Sequence, residues 1–176
     1  MRIRSFAGIV AASAGALLLA ACGTVQGYDA AGDIHAFLIA VRDGDRTTFN
    51  AHVDRPALKT QLRARFLEEV ARARGAASKS TLGAALAGPL VDVGVDVLVQ
   101  PEVFRAAAAL AGYGAGTSIP PRIVISHELK TLPQGRVCVQ LRGGCSFVFK
   151  NEDGVWRLIA YEGDIGSLRR DIGGRR

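Results

Sequence analysis

Apolar positions recur three and four residues apart up to about residue 110, and every second residue after about residue 121. Ile34, Phe37, Leu38 and Val41 form the first helical stripe, with Asp33 placed as its N-cap and Gly44 just past its end. Asp45 is placed to cap a short second helix containing Phe49 and Val53. Asp54-Arg55-Pro56 marks another start, because proline fits the first turn and an aspartate there accepts from free amides. The helix that follows, from Pro56 to Arg74, sets Leu58, Leu62, Phe66 and Val70 every fourth residue, runs ~28 Å at 1.5 Å per residue, and stops at Gly75.

Residues 81–100 are apolar enough to suggest a membrane span, but Asp92, Asp96 and Pro89 argue against one. Each charge at mid-bilayer costs ~2.5–3.5 kcal/mol even on lenient scales. Two packed helices broken at Gly88-Pro89 are expected instead. The second places Leu90, Gly94, Val97 and Leu98 inward, with Asp92 and Asp96 on a polar face. Pro101 opens a further helix to Leu110, with Glu102 at its positive end.

The period then changes. Gly112 to Pro121 lacks periodicity and reads as a hinge. Arg122 to Leu129 alternates, as do Val137 to Leu141, the Phe147 and Phe149 region, and Val155 to Tyr161. Turns are expected at Pro133-Gln134-Gly135, Gly143-Gly144 and Asp153-Gly154. The whole is an α+β domain in which N-terminal helices pack on one face of a four-stranded antiparallel meander. The expected division is helical over 32–112, hinge over 113–121 and sheet over 122–162, within one domain spanning 32–165, followed by a basic tail over 166–176.

The start of the chain obeys different rules. Arg2 and Arg4 precede an acid-free apolar run of 16 residues, Phe6 to Ala21, shorter than the ~20 residues a bilayer crossing needs. Small residues end it, as at a secretory cleavage site. Leu19-Ala20-Ala21-Cys22 resembles the bacterial lipobox, which implies a leader over 1–21 and lipidation of Cys22, with a diacylglyceryl thioether and in many such proteins an amide-linked acyl chain such as palmitate. Two acyl chains suffice for stable anchoring. Residues 22–31 are then expected to act as a tether. Gly23 in place of an aspartate favours the outer membrane, with the domain facing the periplasm.

Charge and cysteine usage change meaning once the leader is set aside. The formal charge of +6 comes mostly from Arg2, Arg4, Arg169, Arg170, Arg175 and Arg176. Residues 22–168 hold 16 Lys/Arg against 15 Asp/Glu, so no basic face for nucleic acid is expected. With Cys22 lipidated, Cys138 and Cys145 remain, and an oxidising compartment favours a disulfide between them. The register set by a Gly143-Gly144 turn holds the two sulfurs apart, so a bridge requires Val139 to Gly144 to form a looser loop.

The stretch Phe37-Leu38-Ile39-Ala40-Val41-Arg42-Asp43-Gly44-Asp45, followed by Val53-Asp54-Arg55-Pro56-Ala57-Leu58-Lys59, resembles the bacterial domain of unknown function 2939, DUF2939. Val99-Gln100-Pro101-Glu102 and Trp156-Arg157-Leu158 extend the likeness over most of residues 34–162, the strand region being the weaker part. Asp45, Val53, Asp54, Pro56, Leu58, Pro101 and Trp156 carry it, as structural punctuation and apolar anchors. The resemblance implies no activity. Helices followed by a curved meander are also cystatin/NTF2-like in outline.

No catalytic set, metal site or cofactor motif emerges. His35, His52 and His127 have no second ligand at metal spacing, and His127 on an apolar strand face reads as a core histidine. Asp92 and Asp96 could pair for acid–base work, but a solvated helix face is the simpler reading. Gly112 to Gly116 lacks the flanking strand and lysine of a phosphate loop. The expectation is a membrane-anchored, non-catalytic periplasmic domain that binds a protein partner or a small apolar ligand. The alternative is an envelope hydrolase using a histidine and carboxylates gathered in a pocket.

Overall fold

The computed structural model describes residues 6–75, 81–110, 112–141 and 144–163, with side chains described from Val25 onward except at 73–88, 110 and 141. Six helices precede four strands: α1 (Phe6–Asp43), α2 (Arg46–Ala51), α3 (Arg55–Gly75), α4 (Thr81–Leu98), α5 (Pro101–Leu110), α6 (Arg122–His127), then β1 (Leu129–Leu132), β2 (Arg136–Leu141), β3 (Gly144–Glu152) and β4 (Val155–Tyr161). The strands pair antiparallel in the order β1-β2-β3-β4, an α+β meander as expected. The basic tail lies outside the described residues.

Local punctuation behaves as its chemistry dictates. Gly44 takes φ +76°, and its amide and that of Asp45 both donate to the Ala40 carbonyl, closing α1. Asp45 then caps α2, accepting from the amides of Thr47 and Thr48 and from the Thr48 hydroxyl at 2.6 Å. The Thr48 donors hold the Asp45 carboxyl below its usual range. Asp54 accepts from the Ala57 amide at the start of α3. Glu102, in the first turn of α5, is also held low, first by its own amide and then by Arg46. Asp153-Gly154, both at positive φ, form the two-residue turn between β3 and β4.

Several expectations are corrected. The helix α2 ends at Ala51 rather than including Val53, which bridges to β4 instead. Residues 22–31 are helical rather than a loose tether; α1 runs through them, and Ala30 and Ala31 are core residues. Asp33 is therefore no N-cap. It lies inside α1, where its carboxylate accepts from the Trp156 amide at 2.8 Å. Thr81–Leu98 is one helix with Pro89 inside it, not two broken at Gly88-Pro89. Arg122–His127 is helical, so the sheet begins at Leu129 rather than 122. Pro120-Pro121 sets the helix up, Ile125 alone of its apolar residues is buried, and His127 is exposed at its end instead of in a core. The segment 113–121 and the start of α6 are fastened along α1: Arg42 donates to the Thr117 carbonyl at 2.9 Å, His35 Nδ1 meets the Pro120 carbonyl at 2.9 Å, and Arg122 donates to the Tyr28 carbonyl at 2.7 Å.

The main core lies between the helices and one sheet face. Phe37 is its hub, with ring centroids 5.7 Å from Phe49, 6.2 Å from Phe104 and 5.8 Å from Phe149. Leu58, Leu62, Val95, Val99, Val137, Trp156 and Leu158 complete it. The opposite sheet face carries a small second cluster of Cys138, Val148 and Ala160, flanked by Leu132, Cys145 and Ile159.

That second cluster contains the disulfide, with Cys138 and Cys145 Cα atoms 5.7 Å apart. It needs no loose loop. Val139 pairs with Phe147, but Gln140 pairs with Cys145, so Ser146 is an extra residue bulged out of β3. Side chains alternate along a strand, and one inserted residue reverses the alternation. The bulge thus turns Cys145 away from the helices, onto the face that Cys138 occupies.

The outer side of β4 is held by three separate elements. Asp33 of α1 takes the Trp156 amide. Next along the strand, Leu158 donates to the His52 carbonyl at 2.9 Å and accepts from the Asp54 amide at 3.0 Å, so Val53 bridges to it in parallel. Gln61 of α3 reaches the Tyr161 backbone with both its amide atoms, at 2.9 and 3.3 Å.

Candidate functional site

The residue pattern of α4 produces an unusual surface. Apolar residues surround this helix from Leu90 to Val99, interrupted only by Gly94 and the two aspartates. Both aspartates are taken by α3: Asp96 pairs with Lys59 at 2.6 Å, and Asp92 with Arg63. Each spacing of four residues on one helix matches four on the other, as antiparallel neighbours require. The polar flank of α4 is thereby fixed against α3, Val95 and Val99 are turned inward, and Leu90, Val93 and Val97 are left 72%, 65% and 54% exposed. The expected inward set of Leu90, Gly94, Val97 and Leu98 is corrected to Val95 and Val99, with Val91 and Leu98 half-buried.

Beside this stripe lies an open groove of about 620 Å³, walled by Phe66 and Val70 of α3 and by Leu90, Val93, Val97 and Leu98 among others of α4. Phe66 and Leu98 also line a second, inner cleft of about 90 Å³ that reaches Val103 and Phe104 of α5 and Phe147, Leu158 and Tyr161 of the sheet. The lining of both is apolar except for the tyrosine. Hydrocarbon is the chemistry such walls can match.

The polar groups gather elsewhere. Trp156 donates its indole N–H to Asp29 at 2.9 Å and its amide to Asp33. His52 Nδ1 lies 2.9 Å from the Thr48 carbonyl, which only accepts, so that nitrogen carries the proton. His52 Nε2 then faces Asp33 Oδ1 at 3.7 Å, too long for a hydrogen bond. No histidine lines the groove or the inner cleft. Among the described residues, no three His, Cys, Asp or Glu side chains could share a metal ion. The same residues include no helix long and apolar enough to cross a membrane.

The residues marked from sequence fall into three groups. Asp45, Asp54, Pro56 and Pro101 sit at helix starts. Val53, Leu58 and Trp156 are core, and Cys138 and Cys145 are bridged. Leu19, Ala20, Ala21 and Cys22 lie on the backbone of α1, their side chains outside the described residues. Asp92 and Asp96 serve as partners of α3 cations. The groove went unnoticed because the two aspartates were read as a solvent face, whereas α3 holds them and leaves Leu90, Val93 and Val97 exposed.

The family model described as "Protein of unknown function (DUF2939)" matches residues 17–107. The match covers the helical half from inside the N-terminal apolar run to α5, and leaves the sheet, with Trp156-Arg157-Leu158, outside it. No curated protein and no solved structure matches the chain, so the cystatin/NTF2-like outline is not confirmed.

Proposed function

We propose a function for this chain, which belongs to the DUF2939 family, described as of unknown function, from its N-terminal motif and its groove. It acts as a bacterial lipoprotein, tethered in the envelope through Cys22 and facing the periplasm, whose domain takes an apolar ligand with a hydrocarbon chain into the groove between α3 and α4. The tether rests on the charged start, the apolar run and Leu19-Ala20-Ala21-Cys22. The binding role rests on the groove, whose volume of about 620 Å³ lies within the ~300–1,000 Å³ of ligand sites. Three large apolar side chains exposed along one helical stripe also exceed what scattered surface residues account for.

Two measurements test this reading. Fatty-acid labelling in cells should mark the native chain and not Cys22→Ala; equal labelling of both would end the lipoprotein assignment. For the groove, cells are fed a photoreactive fatty acid, irradiated, and the adduct located by peptide mass spectrometry. Adducts on residues 61–72 and 89–99 are expected, and they should fade in the Leu90→Ser/Val97→Ser variant. Adducts confined to other segments, or crosslinks from the stripe to a protein instead, would remove the ligand role.

A further inference from the structure

A second apolar patch lies close to the proposed anchor. Val25 and Tyr28, three residues apart on α1, share a face and are both exposed. Arg122 stacks over the Tyr28 ring at 4.1 Å and donates to its carbonyl. Ile123 and Val124, the next residues of α6, are exposed as well. Val25 and Tyr28 follow Cys22 by three and six residues. At 1.5 Å per residue they sit ~4.5 and ~9 Å along the helix from the lipidated position. No loop intervenes, because α1 is continuous from Phe6 to Asp43.

We propose that Val25, Tyr28, Ile123 and Val124 form a seat that lies in the interfacial layer of the bilayer, so that the domain stands on the membrane in a fixed pose. This rests on the lipoprotein reading of Cys22. The occupant follows from the anchor: whatever holds the acyl chains of Cys22 lies within two turns of this patch. Its chemistry also fits. Apolar faces bury ~5–10 Å into the headgroup boundary, and an anchor whose chains enter the bilayer keeps residues only ~4.5 and ~9 Å away close to that boundary. Tyrosine is favoured at that depth, and arginine keeps its head group toward phosphate while its stem stays apolar.

The chain carries an internal control. Tyr28 and Tyr113 are 45% and 47% exposed. Tyr113 belongs to the segment that reaches Arg42 through Thr117, fourteen residues beyond Tyr28 and so ~21 Å further along α1. The full chain, purified from cells in detergent, is reconstituted into vesicles of phosphatidylethanolamine and phosphatidylglycerol, and hydroxyl-radical oxidation of the two tyrosines is compared by mass spectrometry. Tyr28 should be oxidised several-fold more slowly than Tyr113. In Val25→Ser/Ile123→Ser/Val124→Ser, whose changes touch only exposed positions, the two rates should become equal. Equal rates in the native chain, with Cys22 acylated by intact mass, would overturn the seat and leave the anchor standing. An unacylated Cys22 would overturn both. Protection of Tyr28 that persists in the triple variant, or that occurs in cells but not in vesicles, would assign the patch to a protein contact and overturn the proposal.

Discussion

Reducing the Cys138–Cys145 bond should destabilise the domain by an amount its small loop dictates. The two cysteines are seven positions apart. The chain-entropy relation gives ~2.5 kcal/mol at 25 °C for a loop of about eight residues. The reduced native state loses little of its own packing, because Cys138 is buried beside Val148 and Ala160, where a thiol behaves as a small apolar group. Against a total stability of ~5–15 kcal/mol, this loss is large. At ~2–4 °C per kcal/mol for chains of this size, the melting midpoint should fall by ~5–10 °C. Urea unfolding of the full chain with and without reductant, followed by the emission of Trp156, the single tryptophan, measures it. The midpoint should drop and the slope should steepen, since the reduced unfolded chain exposes more surface. Superimposable curves, with free thiols verified by mass, would refute the entropic argument. A loss of ~5 kcal/mol or more would refute it from the other side, showing that the Ser146 bulge collapses without its bridge.

Phe37→Ala, which empties the hub of the aromatic core, should cost ~3–5 kcal/mol in the same assay, with no change in the oxidation state of the cysteines. Asp92→Ala and Asp96→Ala remove exposed helix–helix ion pairs, and each should cost less than ~1 kcal/mol, with the loss shrinking in added salt. Asp45 has a carboxyl pKa lowered from 3.8 in the folded chain. Its cap therefore contributes stability that is fully present above 3.8 and is lost as pH falls through the lowered value. In Asp45→Asn the acid limb of the stability profile should flatten, and an unchanged limb would mean the cap does not feel pH.

Helix boundaries set by local chemistry were legible in the sequence. Asp45, Asp54-Pro56 and Pro101 each act within one turn of themselves, and the structure places all of them at helix starts. Features decided by distant partners were not legible. Arg122 to Leu129 alternates well enough to pass for a strand, and only Pro120-Pro121 hinted at a helix that packs against α1. The orientation of α4 depends on Lys59 and Arg63, some thirty residues away, which draw its aspartates sideways. The disulfide could be argued from compartment, but its geometry depends on a single extra residue in β3 that no alternation rule reveals. The candidate groove inherits this problem, since its walls become a site only after α3 has chosen which side of α4 to hold.

The grip on β4 has a consequence beyond holding the sheet to the helices. A strand at the rim of a sheet is a template on which another molecule's strand can grow, and proteins crowded on a surface meet one another constantly. Here the positions a stranger would need are already filled from within, by Asp33, by the His52–Asp54 link and by Gln61. The opposite rim is the four-residue β1, which presents Lys130 to solvent. A second chain would find little free backbone on the β4 rim to extend, because segments of this chain already take the place of the next strand.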